Sequence, residues 1–319
     1  MIVTTGLARL DRLLADPTID EVLVNAGRDV WIERCGQLEP VAPGLRAGEV
    51  EHAIERILAP LGLRADAVSP IVEARLRDGS RVHIVAGPVS LDGPSLAIRR
   101  FSSTPIELSG FAEPDVEAFL IEAVRRRANI VVSGATAAGK TTLLNALVAH
   151  CPVNERLVTV EDAAELRLQT PNVARLEARR ATADGLGEVT VRMLLRAALR
   201  LRPDRLVVGE VRGAEALDML LALNTGHAGS LTTVHANSAA DSIVRLATLA
   251  LLNDAALPLP GAQNLVGRAI DLVVHVTRGT RGGRRVDHIS EVDASGTAVR
   301  IVADHRGVAA APNRAWSVM

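Results

Sequence analysis

Apolar positions along the first hundred residues change period several times. Leu7, Leu10, Leu13 and Leu14 recur at helical spacing and stop before Asp16-Pro17. Residues 21–25 and 30–33 read as short strands joined by a turn containing Gly27. Ile54, Ile57, Leu58 and Leu61 predict a helix over 50–61, stopped by Gly62. Strands follow at 71–76, 82–85 and 96–98, with turns at Asp78-Gly79 and Asp92-Gly93-Pro94. This half is α+β.

Beyond residue 106 the pattern becomes strict alternation of short apolar runs with longer helical stripes. Helices are predicted over 113–127, 141–150, 189–201, 214–223 and 239–252. Strands are predicted over 129–133, 157–160, 206–208, 230–234, 272–276, 286–292 and 298–301. Alternating strands and helices imply an α/β domain with a mostly parallel sheet. Small, polar residues and a proline at Ser102-Ser103-Thr104-Pro105 mark the break. The expected organisation is a smaller α+β domain over 1–103, a linker over 104–112 and an α/β domain over 113–319.

Composition narrows the function classes. Hydrophobic residues make up 48% of the chain, but there are only three Phe, two Trp and no Tyr, so aliphatic side chains must fill the cores. Surface rings for stacking single-stranded bases are scarce, and a net charge of −1 supplies no basic field, so no nucleic-acid partner is expected. Cys35 and Cys151 lie far apart and read as two reduced thiols. Charged residues break the N-terminal apolar stretch, and no run approaches the ~18 apolar residues of a membrane span. The expected location is cytoplasmic, with peripheral membrane contact at most.

The sole lysine is Lys140, inside Gly134-Ala135-Thr136-Ala137-Ala138-Gly139-Lys140-Thr141. This is the G-x-x-x-x-G-K-[ST] phosphate loop, preceded by a strand and followed by a helix. Loop amides and the helix N-terminus point at a β-phosphate, and a compact ammonium reaches the outer phosphates as a planar guanidinium does not. Residues 134–142, ending in Thr142, are therefore the expected ATP contacts, and the Thr141 hydroxyl is placed to ligate Mg²⁺.

Two further strands end in carboxylates. Leu206-Val207-Val208-Gly209-Glu210 has the Walker-B form, and Thr159-Val160-Glu161-Asp162 follows the phosphate-loop helix. Neighbouring strand ends in a parallel sheet share one crevice, so Glu161 and Glu210 are expected to face the same γ-phosphate. One carboxylate steadies Mg²⁺, directly or through water, and the other polarises the attacking water. Glu165 is either a partner or a solvated charge. His227 and His235 bracket a strand between glycines and lack a third zinc ligand at suitable spacing, so they resemble a γ-phosphate sensor. In the first half, Arg81, Arg99 and Arg100 sit on or beside strands and are candidate arginine fingers.

Taken in order, these motifs resemble the traffic ATPases of type II and type IV secretion and pilus assembly, above all the branch that drives tight-adherence (Flp) pili. The resemblance runs from Asp16-Pro17 through Arg99-Arg100-Phe101 and Pro203-Asp204-Arg205 to His235-Ala236-Asn237. It implies a RecA-like P-loop domain hinged to the N-terminal domain, a homohexameric ring, and docking on an inner-membrane platform protein. It implies Glu161 as base for the attacking water, Glu210 near Mg²⁺, and Arg81 with Arg99 or Arg100 at the outer phosphates. His227 and His235 are implied as coupling residues. The chain departs from the family in having Gly87-Pro88 for a Pro-Pro pair and no paired C-x-x-C zinc module. It is also expected to lack the N-terminal extension common in the tight-adherence branch. A helicase-type RecA-like motor and a nucleotide-binding regulator without hydrolysis are the rival readings.

Overall fold

The computed structural model describes residues 5–34, 36–76, 78–100, 106–168, 170–179, 181, 186–252, 257–278 and 283–313. The chain forms two compact units, Met1–Thr104 and Pro105–Met319.

The first unit holds helices α1 (Ala8–Ala15) and α2 (Glu49–Leu58) and strands β1 (Glu21–Asn25), β2 (Asp29–Arg34), β3 (Gln37–Val41), β4 (Ile71–Arg75), β5 (Arg81–Val85) and β6 (Ser95–Arg99). The strands pair antiparallel in the order β3-β2-β1-β6-β5-β4. Val22, Val24, Val30, Ile32, Val82, Ile84, Leu96 and Ile98 form one buried face with Leu10, Ile54 and Ile57. The period-2 alternation thus sets which face meets the helices. The expected helix over 50–61 ends early, because Pro60 turns its last residues into a 3₁₀ segment closed by Gly62 at φ 68°. Strand β3 was not predicted. It is an edge strand, almost wholly exposed and carrying Pro40, so it has no apolar alternation to read.

The second unit holds α3 (Pro114–Arg125), β7 (Ile130–Gly134), α4 (Lys140–Val148), β8 (Leu157–Glu161), β9 (Val173–Glu177), α5 (Val191–Ala198), β10 (Arg205–Val208), α6 (Glu215–Leu223), β11 (Leu231–His235), α7 (Ala239–Leu251) and α8 (Leu259–Ala269). It closes with β12 (Leu272–Arg278), β13 (Arg284–Val292), β14 (Val299–Asp304) and β15 (Gly307–Val308). The sheet order is β15-β14-β13-β12-β7-β11-β10-β8-β9. The six strands from β12 to β9 run parallel, and β13 to β15 add an antiparallel flank. Ile130 and Val132 of β7 pack with α3 and α4, while Val131 packs with α5 to α8 on the opposite face. Helix α8 and strand β9 went unpredicted. The first opens on Pro258-Leu259-Pro260-Gly261, which reads as a turn, and the second is a half-exposed edge.

The expected linker over 104–112 is corrected by burial. Phe101–Pro105 lie outside the described residues, but Leu108 and Phe111 are buried in the second unit's core, and the Phe111 carbonyl accepts from Val286 N at 2.8 Å. Residues 106–112 therefore belong to the second unit. No described helix is long and apolar enough to cross a membrane.

Candidate active site

The site is built at the carboxyl edge of the parallel strands. β7 ends at Gly134, whose φ is +155°; a Cβ there would lie 2.4 Å from the Val276 carbonyl oxygen. Gly139 at φ +99° N-caps α4 without a side-chain cap, so the first-turn amides of α4 have no intrahelical acceptor. Arg284 lies across this turn: its Nη1 donates to Thr142 Oγ1 at 3.2 Å, and a Cβ on Gly139 would strike its Cδ at 2.5 Å.

Lys140 is 93% buried, and its Nζ donates to the Gly134 and Ala135 carbonyls at 3.1 and 2.9 Å. Nζ also lies 3.0 Å from His235 Nδ1, and His235 Nε2 lies 2.8 Å from Glu210 Oε1. The neutral tautomer that accepts from the ammonium carries its proton on Nε2. Burial pushes the Lys140 ammonium down to about 8, against the pull of Glu210. Burial also holds His235 below the usual imidazole value, with Lys140 and Arg212 opposing Glu210. Glu210 Oε2 is paired with Arg212 Nη2 at 2.6 Å, which raises the guanidinium further.

Glu161 ends β8, next to β10 in the sheet. Its Oε1 accepts from the Glu165 and Leu166 amides at 2.6 and 2.8 Å, so Glu165 contributes its backbone here. Desolvation still raises the Glu161 carboxyl above the usual range. Gly209 makes this close approach possible, since a Cβ there would lie 2.9 Å from Glu161 Cγ. The loop carrying Glu210 is pinned to β11: Thr233 Oγ1 donates to the Gly209 carbonyl at 2.8 Å, and Val211 N donates to the Thr233 carbonyl at 3.0 Å.

Glu161 Oε2 is buried with no hydrogen-bond partner among the described residues, and the buried Glu210 Oε1 is met by His235 Nε2. Desolvated anionic oxygens are costly unless something cationic or donating meets them. Hard oxygen donors beside open loop amides and a buried ammonium fit a magnesium-bound triphosphate, with Thr141 and Glu210 as the residues to hold the metal.

Residues 134–142, Lys140, Glu210, His235 and Glu161 thus share one edge of one sheet. His227 does not join them. It sits at the amino edge, its Nδ1 3.1 Å from the Ala222 carbonyl, and the length of β11, about 13 Å, separates it from His235. The two histidines flank a strand, and strand ends face opposite edges. In the first unit Arg81 and Arg99 are cross-strand partners on the sheet face opposite the core. Arg100 is committed elsewhere: its Nη1 donates to the Asp16 and Ile19 carbonyls and staples the α1–β1 turn. Through these bonds it holds its own unit together.

Arg212 and Arg284 were not singled out. Arg212 stands two residues from Glu210 in an extended segment, a spacing that hints at the pair. Arg284 falls in a basic, glycine-rich stretch at 279–285, of which 279–282 lie outside the described residues. Nothing local ties Arg284 to Thr142, 142 residues away.

Comparison with known proteins shows the family. The family model described as type II/IV secretion system protein matches residues 4–300. The putative conjugal transfer protein Rv3659c of Mycobacterium tuberculosis (strain ATCC 25618 / H37Rv) is 38% identical over 305 residues, covering 90% of this chain and 84% of the relative. The type IV secretion system protein VirB11 of Brucella suis biovar 1 (strain 1330) is 35% identical over 315 residues, covering 88% and 86%. Among solved structures, the VirB11 ATPase of the Brucella suis type IV secretion system, in complex with sulphate, superposes with a TM-score of 0.52 at 30% identity, covering 93% of this chain and 96% of that one. The Legionella pneumophila ATPase DotB gives a TM-score of 0.67 at 23% identity over 91% and 82%, a likeness of fold. These relatives do not single out the tight-adherence branch. The chain belongs to the type II/IV secretion system protein family and is a secretion-type ATPase with a RecA-like P-loop domain and a smaller N-terminal α+β domain.

Proposed function

We propose that this chain is the ATP-hydrolysing motor of a type IV secretion, conjugation or pilus-assembly machine, working as a homohexameric ring on the cytoplasmic face of an inner-membrane platform protein. One observation carries the reading: Lys140, His235 and Glu210 form a continuous contact from phosphate loop to Walker-B strand, with the buried Glu161 on the neighbouring strand. Such an edge holds a triphosphate and sets a base for water beside it. Glu161 takes a proton from the attacking water, since burial leaves its carboxylate a stronger base than a solvated one. His235 contacts both Lys140 and Glu210, so movement of the ammonium towards a phosphate is felt at Glu210. Bound Mg²⁺, held by Thr141 and Glu210, would neutralise charge on the outer phosphates. Arg81 and Arg99 are the cations proposed for the outer phosphates, and His227, at the far edge of its sheet, is proposed as a coupling residue away from the phosphate. The sulphate carried by the VirB11 relative is an anion of the same shape class as phosphate.

The deciding experiment is steady-state phosphate release by the purified full chain with Mg-ATP, native against Lys140→Ala, with far-UV circular dichroism of both. We expect turnover in the native chain and none in a folded variant. Equal turnover in the two removes the proposal.

A further inference from the structure

The phosphate loop is also held from the β12 side of β7, away from β11. In the sheet β12 lies beside β7, and the register sets His275 opposite Ser133, the residue before Gly134. Both side chains are buried, and His275 Nδ1 lies 2.9 Å from Ser133 Oγ. The His275 ring stacks on His288 of β13, with centroids 5.1 Å apart and planes at 27°. His288 Nδ1 in turn lies 2.9 Å from Asp287 Oδ2.

We propose that His275 is a positioning residue for the phosphate loop: through Ser133 it fixes the strand end from which Gly134 turns, and the His288–Asp287 pair holds its ring in place. The proposal rests on the reading of this loop as a nucleotide site.

Three observations converge on it. The pairing of β12 with β13 shifts register between His275 and Val276, and a bulge at this point re-aims side chains beside a site. The next residue, Val276, places its carbonyl against Gly134, where any Cβ would be 2.4 Å away. One dipeptide thus grips the loop entry twice, by side chain at Ser133 and by backbone at Gly134. The Gly134 carbonyl is then the acceptor that seats Lys140 at 3.1 Å. Burial and the neighbouring His288 keep the His275 ring below the usual imidazole value, so the neutral ring shares one hydrogen with the Ser133 hydroxyl. An uncoupled hydroxyl at this depth would be an orphaned polar group, which the strand could satisfy only by shifting.

The test is a binding titration of the full chain with a fluorescent, non-hydrolysable ATP analogue and Mg²⁺, alongside KM and kcat for ATP. Ser133→Ala, His275→Leu, the double variant and His275→Asn are compared with the native chain. Ser133→Ala removes one buried oxygen and carries the test if His275→Leu does not fold. We expect each single variant to weaken binding about tenfold, with kcat at saturation within about twofold. The double variant should bind no worse than the weaker single one, because both remove one interaction. The amide of His275→Asn, placed near the position of Nδ1, should restore most of the loss. Single variants that bind within twofold of native, even with a lower melting temperature, would reduce the pair to a core contact and overturn the proposal; so would additive losses. A native chain that binds no analogue overturns the nucleotide reading as well.

Discussion

Replacing Lys140 by Met separates the two things the ammonium does. Lys140 is 93% buried and its ammonium is pushed from the usual 10.5 down to about 8, mainly by desolvation. A shift of that size corresponds to about 3 kcal/mol against the charged form. The variant loses donors to the Gly134 and Ala135 carbonyls and to His235 Nδ1, which offsets most of that gain at about 1 kcal/mol each. A net stabilisation of up to about 1 kcal/mol follows, or up to ~3 °C in the melting temperature of a unit this size. Saturation with Mg-ATP reverses the order: at a hundred times its dissociation constant the ligand adds about 2.7 kcal/mol to the native chain and nothing to a variant that cannot bind. The pH dependence has a definite sign. The unfolded chain keeps the lysine proton up to 10.5 and the folded chain only to about 8. The native chain therefore gains stability as pH rises through that window, and its deficit against the variant closes there. Differential scanning fluorimetry at neutral pH and near pH 10, with and without Mg-ATP, reads all three effects. A nucleotide-free Lys140→Met chain that melts below the native one would refute the reasoning, since the ammonium would then be a net stabiliser of the empty loop.

Other outcomes are equally specific. Glu161→Gln keeps the oxygen that accepts from the Glu165 and Leu166 amides and removes a desolvated charge, so it should hold or raise the melting temperature and leave analogue binding unchanged, while phosphate release falls at least about 100-fold. Because burial raises this carboxyl, the acid limb of the native kcat profile should lie above the usual 4.5, and the same group weakens the fold as pH rises through its folded pKa; a limb at or below 4.5 contradicts the assignment. Arg205 is fully buried and paired with Glu155, which also meets Arg127 at 2.8 Å, so Glu155→Gln should destabilise the second unit by about 3–5 kcal/mol, measured by urea unfolding. Arg100→Ala should lower the melting temperature of the first unit with little change in turnover per folded chain, whereas Arg99→Ala, at an exposed strand end, should do the reverse.

Much of the site was legible because its signals are local. The phosphate loop needs glycine where φ is positive, an ammonium at a fixed offset and a strand before it, all within eleven residues. Strand-end carboxylates follow from an apolar run that stops, as at Glu161 and Glu210. The α/β alternation of the second unit followed from the switch between two periods. Edge strands such as β3 escaped because exposure on both faces erases the alternation that marks a strand.

What spacing could not supply was which strands lie side by side and which way each end points. His227 and His235 look equivalent along the chain, yet β11 sends them to opposite edges. Arg99 and Arg100 are adjacent, yet alternation and a pair of backbone carbonyls give them different work. Ser133 meets His275 and Thr142 meets Arg284 across 142 residues, only because β12 docks beside β7 and β13 beside β12. That order is set by the summed burial of two sheet faces under six helices, a property of the whole unit. The sequence alone therefore determined what chemistry the chain carries, and the tertiary structure decided which residues stand close enough to share it.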